Sequence, residues 1–492
     1  MSDNPSSLPK NPPVKAGLWS SSLNRWLIVV TVVAVVERLA LLAIYQPVAY
    51  SDTASYRRLA ASVLRGFTRY DGTRTPGYPA FLALVGADKR VWLVQMLLGL
   101  ITTLLLFYIG WKLTEKPWFG GVVALAHTLN LGQLFFEADL LTETLTTFLL
   151  ILAMAGGLYW IYNPKKRRLW LAFALGVITA LTLLVRPLFI YLPIWLLLFV
   201  ALQASVKSKD AGTEIQPEND DHPLLSLMRR IRWRFGVAFL LPVVLLVGGW
   251  VTFIHAHYGD WSLTTMTGYH LVQHTGVFFE YVPDEYAALR DTYIKYRDAH
   301  IAEYGTQTNT IWEAIPEMTK VSGYNFYELS RVLTRISIQL ILDHPKLFLN
   351  NVIQGWWMFW RAPVYWSAEA LRFPWLGTVL DPIILIERAT LLLINIGFIL
   401  TSLFYMLGKS DSAIRRKQSP MEFRPTSPAQ SAFLWLLLGN IWIASILQSL
   451  LDHGDNPRFL VPLQSLVVLW VILFFSQLIY LRKHQPDIAT PR

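Results

Sequence analysis

Asp52 and Tyr56 stand four residues apart in Ser51-Asp52-Thr53-Ala54-Ser55-Tyr56, a spacing that puts both on one face of a helix. The surrounding segment, 46–90, also carries Arg57, Arg58, Arg65, Arg69, Arg74, Lys89 and Arg90. A carboxylate can take a proton, and the planar fork of arginine binds two phosphate oxygens at once. Together they are equipped for acid–base chemistry on a phosphate-bearing substrate. A second acidic group follows in Phe136-Glu137-Ala138-Asp139-Leu140-Leu141-Thr142-Glu143. A third polar group is His453-Gly454-Asp455-Asn456-Pro457-Arg458, and Arg186 stands alone at the end of an apolar run. Each has a plainer reading. Ser51 or Asp52 caps a helix running to about Arg65, Arg186 and Arg458 snorkel to headgroups, and the basic cluster is a solvated face against anionic lipid. Glu37 and Arg38 fall inside the first apolar run and are expected to neutralise each other or a neighbour. Metal-ligand spacing is poor. His270 and His274 are four apart, but Gly268 and Gly276 around them disfavour a helix. No metal ligand is assigned.

The elements that position these residues are set by lipid. The chain is 54% hydrophobic and 15% charged, against about a quarter charged in a soluble protein. Cysteine is absent, which excludes disulfides, thiol chemistry and cysteine–zinc sites. The net charge of +10 follows the positive-inside bias of membrane proteins rather than nucleic-acid binding. Apolar runs predict about ten spans, at about 26–45, 91–111, 118–136, 141–162, 169–186, 187–203, 236–255, 383–407, 431–451 and 459–481. The first lacks a cleavage site and reads as a signal anchor. With both termini cytoplasmic, one side collects Lys165, Lys166, Arg167 and Arg168, then Arg229, Arg230, Arg232 and Arg234, then Arg415, Arg416 and Lys417. That asymmetry fixes the expected orientation. The fold class is an all-α polytopic membrane protein.

The expected organisation is a cytoplasmic segment 1–25, a transmembrane module 26–255, an extracytoplasmic loop domain 256–382, further spans over 383–481 and a tail 482–492. Segment 46–90 reads as helix, stop at Gly66, a turn-rich loop around Arg74-Thr75-Pro76-Gly77-Tyr78-Pro79, and a short apolar helix at about 79–86. In the loop domain, Tyr286, Leu289, Tyr293 and Tyr296 predict an amphipathic helix over 283–302. Asn325 with Glu328 predicts a capped helix ending near Asp343. The Trp-rich stretch 346–360 reads as a helix in the membrane interface, with a true span as the alternative. The polar stretch 207–222 reads as a flexible linker.

The strings Ser51–Tyr56, Leu64-Arg65-Gly66 and Arg74–Pro79 resemble the first outer loop of C-type membrane glycosyltransferases. The similar branch is the bacterial group related to aminoarabinose transferases and protein O-mannosyltransferases. Leu141-Thr142-Glu143 resembles that family's second acidic position, and Pro457-Arg458-Phe459 with Pro462 resembles its late Arg-Phe/Tyr…Pro element. The resemblance implies an inverting transfer of a sugar from a polyprenyl-phosphate donor at the outer face of a bacterial inner membrane. Asp52 would be the general base and Glu143 a second catalytic group. Tyr56, Arg57, Arg58, Arg74, Tyr78, Glu137, Asp139, Arg186, His453 and Arg458 would line the substrate site, with Arg74 and Arg458 on the phosphate from two sides. The acceptor would be a glycolipid, an envelope glycan or a protein; Asp52 lacks the adjacent Glu of the protein mannosyltransferases, which argues against a protein. A lipid phosphate leaves readily, so no cofactor is required, although a divalent metal is compatible. Arg57 and Arg58 beside Asp52 would weaken it as a base. The rival readings are a transporter or flippase of a lipid-linked or anionic substrate, and a non-catalytic membrane scaffold.

Overall fold

A computed structural model describes residues 21–201, 232–362, 364–408, 425–454 and 456–483. The linker reading at 207–222, the basic residues Arg229, Arg230, Arg415, Arg416 and Lys417, and both chain ends lie outside these residues. The described chain is helical, with one isolated bridge between Val48 and Asp139. In order the helices are α1 Ser22–Ile44, α2 Ser51–Leu64, α3 Gly77–Val85, α4 Asp88–Thr114, α5 Pro117–Thr128, α6 Leu131–Ala138, α7 Glu143–Tyr162, α8 Leu169–Val185 and α9 Leu192–Ala201. Then come α10 Trp233–Tyr258, α11 Thr267–Thr275, α12 Ala287–Tyr304, α13 Thr310–Ser322, α14 Phe326–Asp343 and α15 Pro345–Phe359, followed by α16 Leu376–Gly408, α17 Pro428–Leu451 and α18 Val461–Lys483.

Among the described residues, seven helices are long and apolar enough to cross a membrane: α1, α4, α7, α10, α16, α17 and α18. The protein is therefore a polytopic helical membrane protein, since lipid offers no partner for backbone groups and a helix supplies its own. The pair α5 and α6 makes an eighth only if its 54° bend is counted as one span, and α8 and the Pro187–Ala201 segment are shorter apolar helices. The continuous span expected at 118–136 is broken. Asn130 Oδ1 accepts from Gln133 N (2.9 Å) and restarts the helix, and Glu387 of α16 accepts from Gly132 N (3.2 Å). A cap inside an apolar run ends one helix and begins another.

Burial separates centre from periphery. The apolar windows of α7 and α18 are each 72% buried, those of α1 and α10 only 22%. Val32, Val36 and Leu39 of α1 project outward, as apolar side chains do toward lipid tails. The start of α7 (Glu143), the end of α8 and the start of α18 meet at one end of the bundle. At the other end Gln430 donates to Leu113 O (3.0 Å) and Arg167 to Trp160 O (3.0 Å), so the Lys165–Arg168 loop lies opposite the α7 start.

The loop domain has its own core, in which Leu289, Tyr293, Ile311, Met318, Leu333 and Ile336 are buried. The amphipathic helix begins at Ala287, after a short turn at Asp284–Tyr286. Asn325 and Glu328 exchange capping bonds of 3.0 Å each, and α14 ends at Asp343. Helix α11 forms despite the glycines around His270 and His274, contrary to the expectation. A Cβ on Gly268 would sit 1.9 Å from Ser330 O, so the glycine lets α11 press against α14 and tertiary packing outweighs propensity. Helix α15 and its C-cap turn two tryptophans inward, Trp356 stacking on Trp442 and Trp360 on Phe398, while Trp357 stays exposed.

Candidate active site

Helix α2 is capped one residue earlier than the sequence suggests. Tyr50 is the N-cap, its N–H donating to Thr53 Oγ1 (2.9 Å), and Thr53 donates to Leu140 O (3.0 Å). Asp52 is thereby released from capping and sits in the first turn, where the helix dipole favours a negative charge. The loop that follows is knotted by its own side chains. Asp71 Oδ1 accepts from Thr73 N and Thr73 Oγ1 (2.9 and 2.6 Å), and Tyr70 donates to Arg74 O (3.1 Å). A Cβ on Gly77 would meet Leu184 and Val185 backbone at 2.6 Å, so this glycine docks the loop against the end of α8.

Five charged side chains meet there. Arg74 donates from Nη2 to Asp52 Oδ1 (2.6 Å) and lies over the Tyr56 ring (5.4 Å). Arg458, in the turn Asn456–Leu460, donates from Nη2 to Asp52 Oδ2 (3.0 Å) and pairs through Nε with Glu143 Oε1 (2.6 Å). It joins the two carboxylates. Arg186 donates from Nη1 to the same Glu143 oxygen (2.9 Å) and covers the Phe459 ring (4.2 Å). Arg186 precedes Pro187 and is extended (φ −143°, ψ 107°), as a residue before proline must be. That leaves it leaving α8 sideways, toward Glu143. Below them Tyr56 and Tyr78 stack edge to face (5.0 Å). Tyr78 donates to Gln95 Oε1 (3.1 Å), and Gln95 donates to Glu137 O and Asp139 O (2.9 and 2.8 Å).

Among the described residues three guanidiniums, Arg74, Arg186 and Arg458, face two carboxylates, Asp52 and Glu143. A third acid, Asp139, borders them but is fully buried with neither oxygen bonded among the described residues. Burial, with repulsion from Glu143, pushes its carboxyl well above the usual range. Two buried donors, Arg74 Nε and Arg186 Nη2, have no partner among the described residues. Such donors are costly unless something fills them. At Asp52, burial pushes the carboxyl up, but Arg74 and Arg458 outweigh it and hold the group below its ordinary value.

Of the residues chosen from sequence, Asp52, Tyr56, Arg74, Tyr78, Glu143, Arg186 and Arg458 come together, with Asp139 at the edge. The others go elsewhere. Arg57 pairs with Asp88 and Arg58 with Asp71, both partly exposed, because their positions on α2 face outward. The guanidiniums that depress Asp52 are thus Arg74 and Arg458, not Arg57 and Arg58. Glu137 is buried against Arg38 of α1 (2.5 Å). Arg38 thus pairs with a neighbour rather than with Glu37, one of the two outcomes expected, and Glu37 accepts from Thr128 (3.1 Å). His453 faces His274. Phe459, quoted above with Arg458, also belongs to the cluster, and so does Gln95, which the sequence reading does not single out; a lone glutamine in an apolar run was the available signal. Among the described residues no group of three or more His, Cys, Asp or Glu side chains is placed so that it could hold a metal ion. No family model, curated protein or solved structure matches the chain.

Proposed function

We propose that this protein is an inverting glycosyltransferase that uses a polyprenyl-phosphate sugar donor at the extracytoplasmic face of a bacterial inner membrane. The observation that supports it is the five-membered cluster of Asp52, Arg74, Glu143, Arg186 and Arg458, with two buried N–H groups, Arg74 Nε and Arg186 Nη2, unfilled among the described residues. A phosphate supplies what such a cluster lacks, since charge-assisted bonds from arginine to phosphate are short and strong. Its position, at the end of a bundle of apolar helices, suits a headgroup whose prenyl chain stays in lipid.

In this reading the acceptor's oxygen or nitrogen attacks the anomeric carbon while the bond from that carbon to the phosphate oxygen breaks. Asp52 takes the acceptor proton, and polyprenyl phosphate leaves with the bonding pair. Arg74, Arg186 and Arg458 stabilise the charge on the departing phosphate. A phosphate that draws Arg74 and Arg458 toward itself also relieves Asp52 of the charges that depress it, so donor binding raises the strength of the base. Glu143 holds Arg186 and Arg458 in place. The fold is read with about ten crossings and both termini cytoplasmic; glycolipid, envelope glycan and protein remain the acceptor classes.

The test is mass spectrometry of envelope glycolipids and glycans from cells lacking the protein and from cells complemented with wild type or Asp52→Asn. A glycan missing in the deletion, restored by wild type and not by Asp52→Asn, supports the reading. Identical glycan profiles in all three overturn it.

A further inference from the structure

Outside the candidate site, ionisable groups gather where the loop domain meets the turn after α17. His270 Nδ1 bonds Asp452 Oδ2 (3.1 Å), and Asp452 Oδ1 accepts from Gly454 N (2.8 Å). One turn along α11, His274 is fully buried, and both of its ring nitrogens lack a partner among the described residues. Its ring faces His453 (5.5 Å between centroids) and Phe348 (5.3 Å). His453 is nearly buried, with Nδ1 also unpartnered among the described residues. Three imidazoles therefore gather at this junction beside one carboxylate, Asp452, which bonds only His270 of the three among the described residues.

Among the described residues the neighbouring elements add no charge to this junction. Helix α14 brings hydroxyls, Ser337 meeting Thr275 (2.9 Å), while its Arg331 turns to Asp260 (3.0 Å). Helix α15 brings Phe348 and Asn351, the latter donating to His274 O (3.0 Å). Helix α12 keeps Arg297 on Glu280 (2.8 Å), and α13 offers Trp312 to the His270 ring (5.8 Å). One proton on the three imidazoles is matched by Asp452. A second or third has no counter-charge among the described residues and sits in a closed space, where an unpaired charge is strongly disfavoured. The junction is also placed to act: the turn it holds runs on within six residues to Arg458, which joins Asp52 to Glu143.

We propose that His270, His274, His453 and Asp452 form an acid-sensitive latch, closed when at most one imidazole is charged, that on acidification releases the loop domain from the α17–α18 turn carrying Arg458. The latch itself does not depend on the glycosyl-transfer reading; only its consequence for Arg458 does. Histidine is the side chain whose charge changes between about pH 5 and 8, so an extracytoplasmic latch would report ambient acidity.

The chain has no cysteine, so two introduced cysteines are unique. Spin labels at Glu303→Cys on α12 and Leu84→Cys on α3, both exposed, would report the distance between loop domain and bundle in full-length protein in nanodiscs. The expected result is one narrow distance at neutral pH that broadens and lengthens on acidification. His274→Gln with His453→Asn should abolish the response. Asp452→Asn, which removes the counter-charge, should move the opening midpoint up by about one pH unit or more. If the double variant does not fold, the Asp452→Asn shift decides alone. A distance unchanged down to acid pH in wild type, or an Asp452→Asn midpoint equal to that of wild type, overturns the latch. Neither result bears on donor transfer, which the glycan profiles test separately.

Discussion

Arg38 and Arg186 are both buried guanidiniums bonded to a glutamate, yet their remaining N–H groups fare differently. Arg38 gives Nε to Met96 O, Nη1 to Ala34 O and Thr128 Oγ1, and Nη2 to Glu137. Each of its nitrogens is used. Arg186 gives one N–H to Glu143 and leaves Nη2 empty, and Arg74 leaves Nε empty. The first arrangement is closed, and it ties α1 to α4, α5 and α6. The second is open at the bundle end. An arginine that holds a fold is saturated by fixed backbone and side-chain oxygens; one that awaits an anion keeps donors in reserve.

The largest effect is expected from breaking the closed pair. Glu137→Leu leaves Arg38 buried without its counter-charge, and thermal unfolding in detergent should show a loss of about 3–5 kcal/mol. The double variant Arg38→Leu, Glu137→Leu should recover much of it. Equal stability of the single variant and wild type would remove the distinction between the clusters.

At the open cluster the order reverses. Asp52→Asn keeps the shape but removes a partner of Arg74 and Arg458, so the melting temperature should fall, though less than for the more deeply buried Glu137→Leu. Transfer should fall at least about a hundredfold, read by mass spectrometry of the product. Near-normal turnover would exclude Asp52 as the base.

A smaller loss of stability should follow from Gly99→Ala. A Cβ there would lie 1.8 Å from Glu137 Oε1, so the closed pair must shift, at a cost of about 1–3 kcal/mol. A melting temperature equal to that of wild type would mean that the pair tolerates slack.

The mildest expectation concerns pH. Burial, with the neighbouring His453, pushes the His274 imidazole down to about 4; an unfolded histidine sits near 6.5. The unfolded chain therefore binds this proton more readily. Loop-domain stability should be full above about pH 6.5 and fall as pH drops toward 4. His274→Gln should flatten that slope in a series of melts. Asp52, held below its ordinary value, contributes stability that is lost only at more acid pH. A slope unchanged in His274→Gln would assign the acid response elsewhere.

Much of this was legible in local chemistry. The Asn325–Glu328 cap, the helix stop at Gly66 (φ +64°) and the seven long apolar helices rest on interactions within a few residues or on composition, and sequence carries both. Asp52, Arg74, Glu143 and Arg458 were legible because polar groups at the ends of apolar runs have few places to go. The choice among neighbouring arginines was not. Arg57 and Arg58 look as eligible as Arg74, but a rotation about α2 sends them to Asp88 and Asp71. Glu137 looked like a loop residue because the break at Asn130 was unseen, and that break extends α6 to Ala138. Helix α11 and the His274–His453 contact depend on how the loop domain docks, a long-range fact that no local pattern encodes.

The central claim is that the open arginines take the donor's phosphate. Its most direct measurement is a titration of synthetic polyprenyl-phosphate sugar against wild type, Arg74→Lys and Arg186→Lys in one nanodisc preparation. Lysine keeps the charge and loses the two-point fork. Wild type should bind saturably and each variant roughly tenfold more weakly, within the range of a charge-assisted hydrogen bond. Three superimposable curves would contradict it.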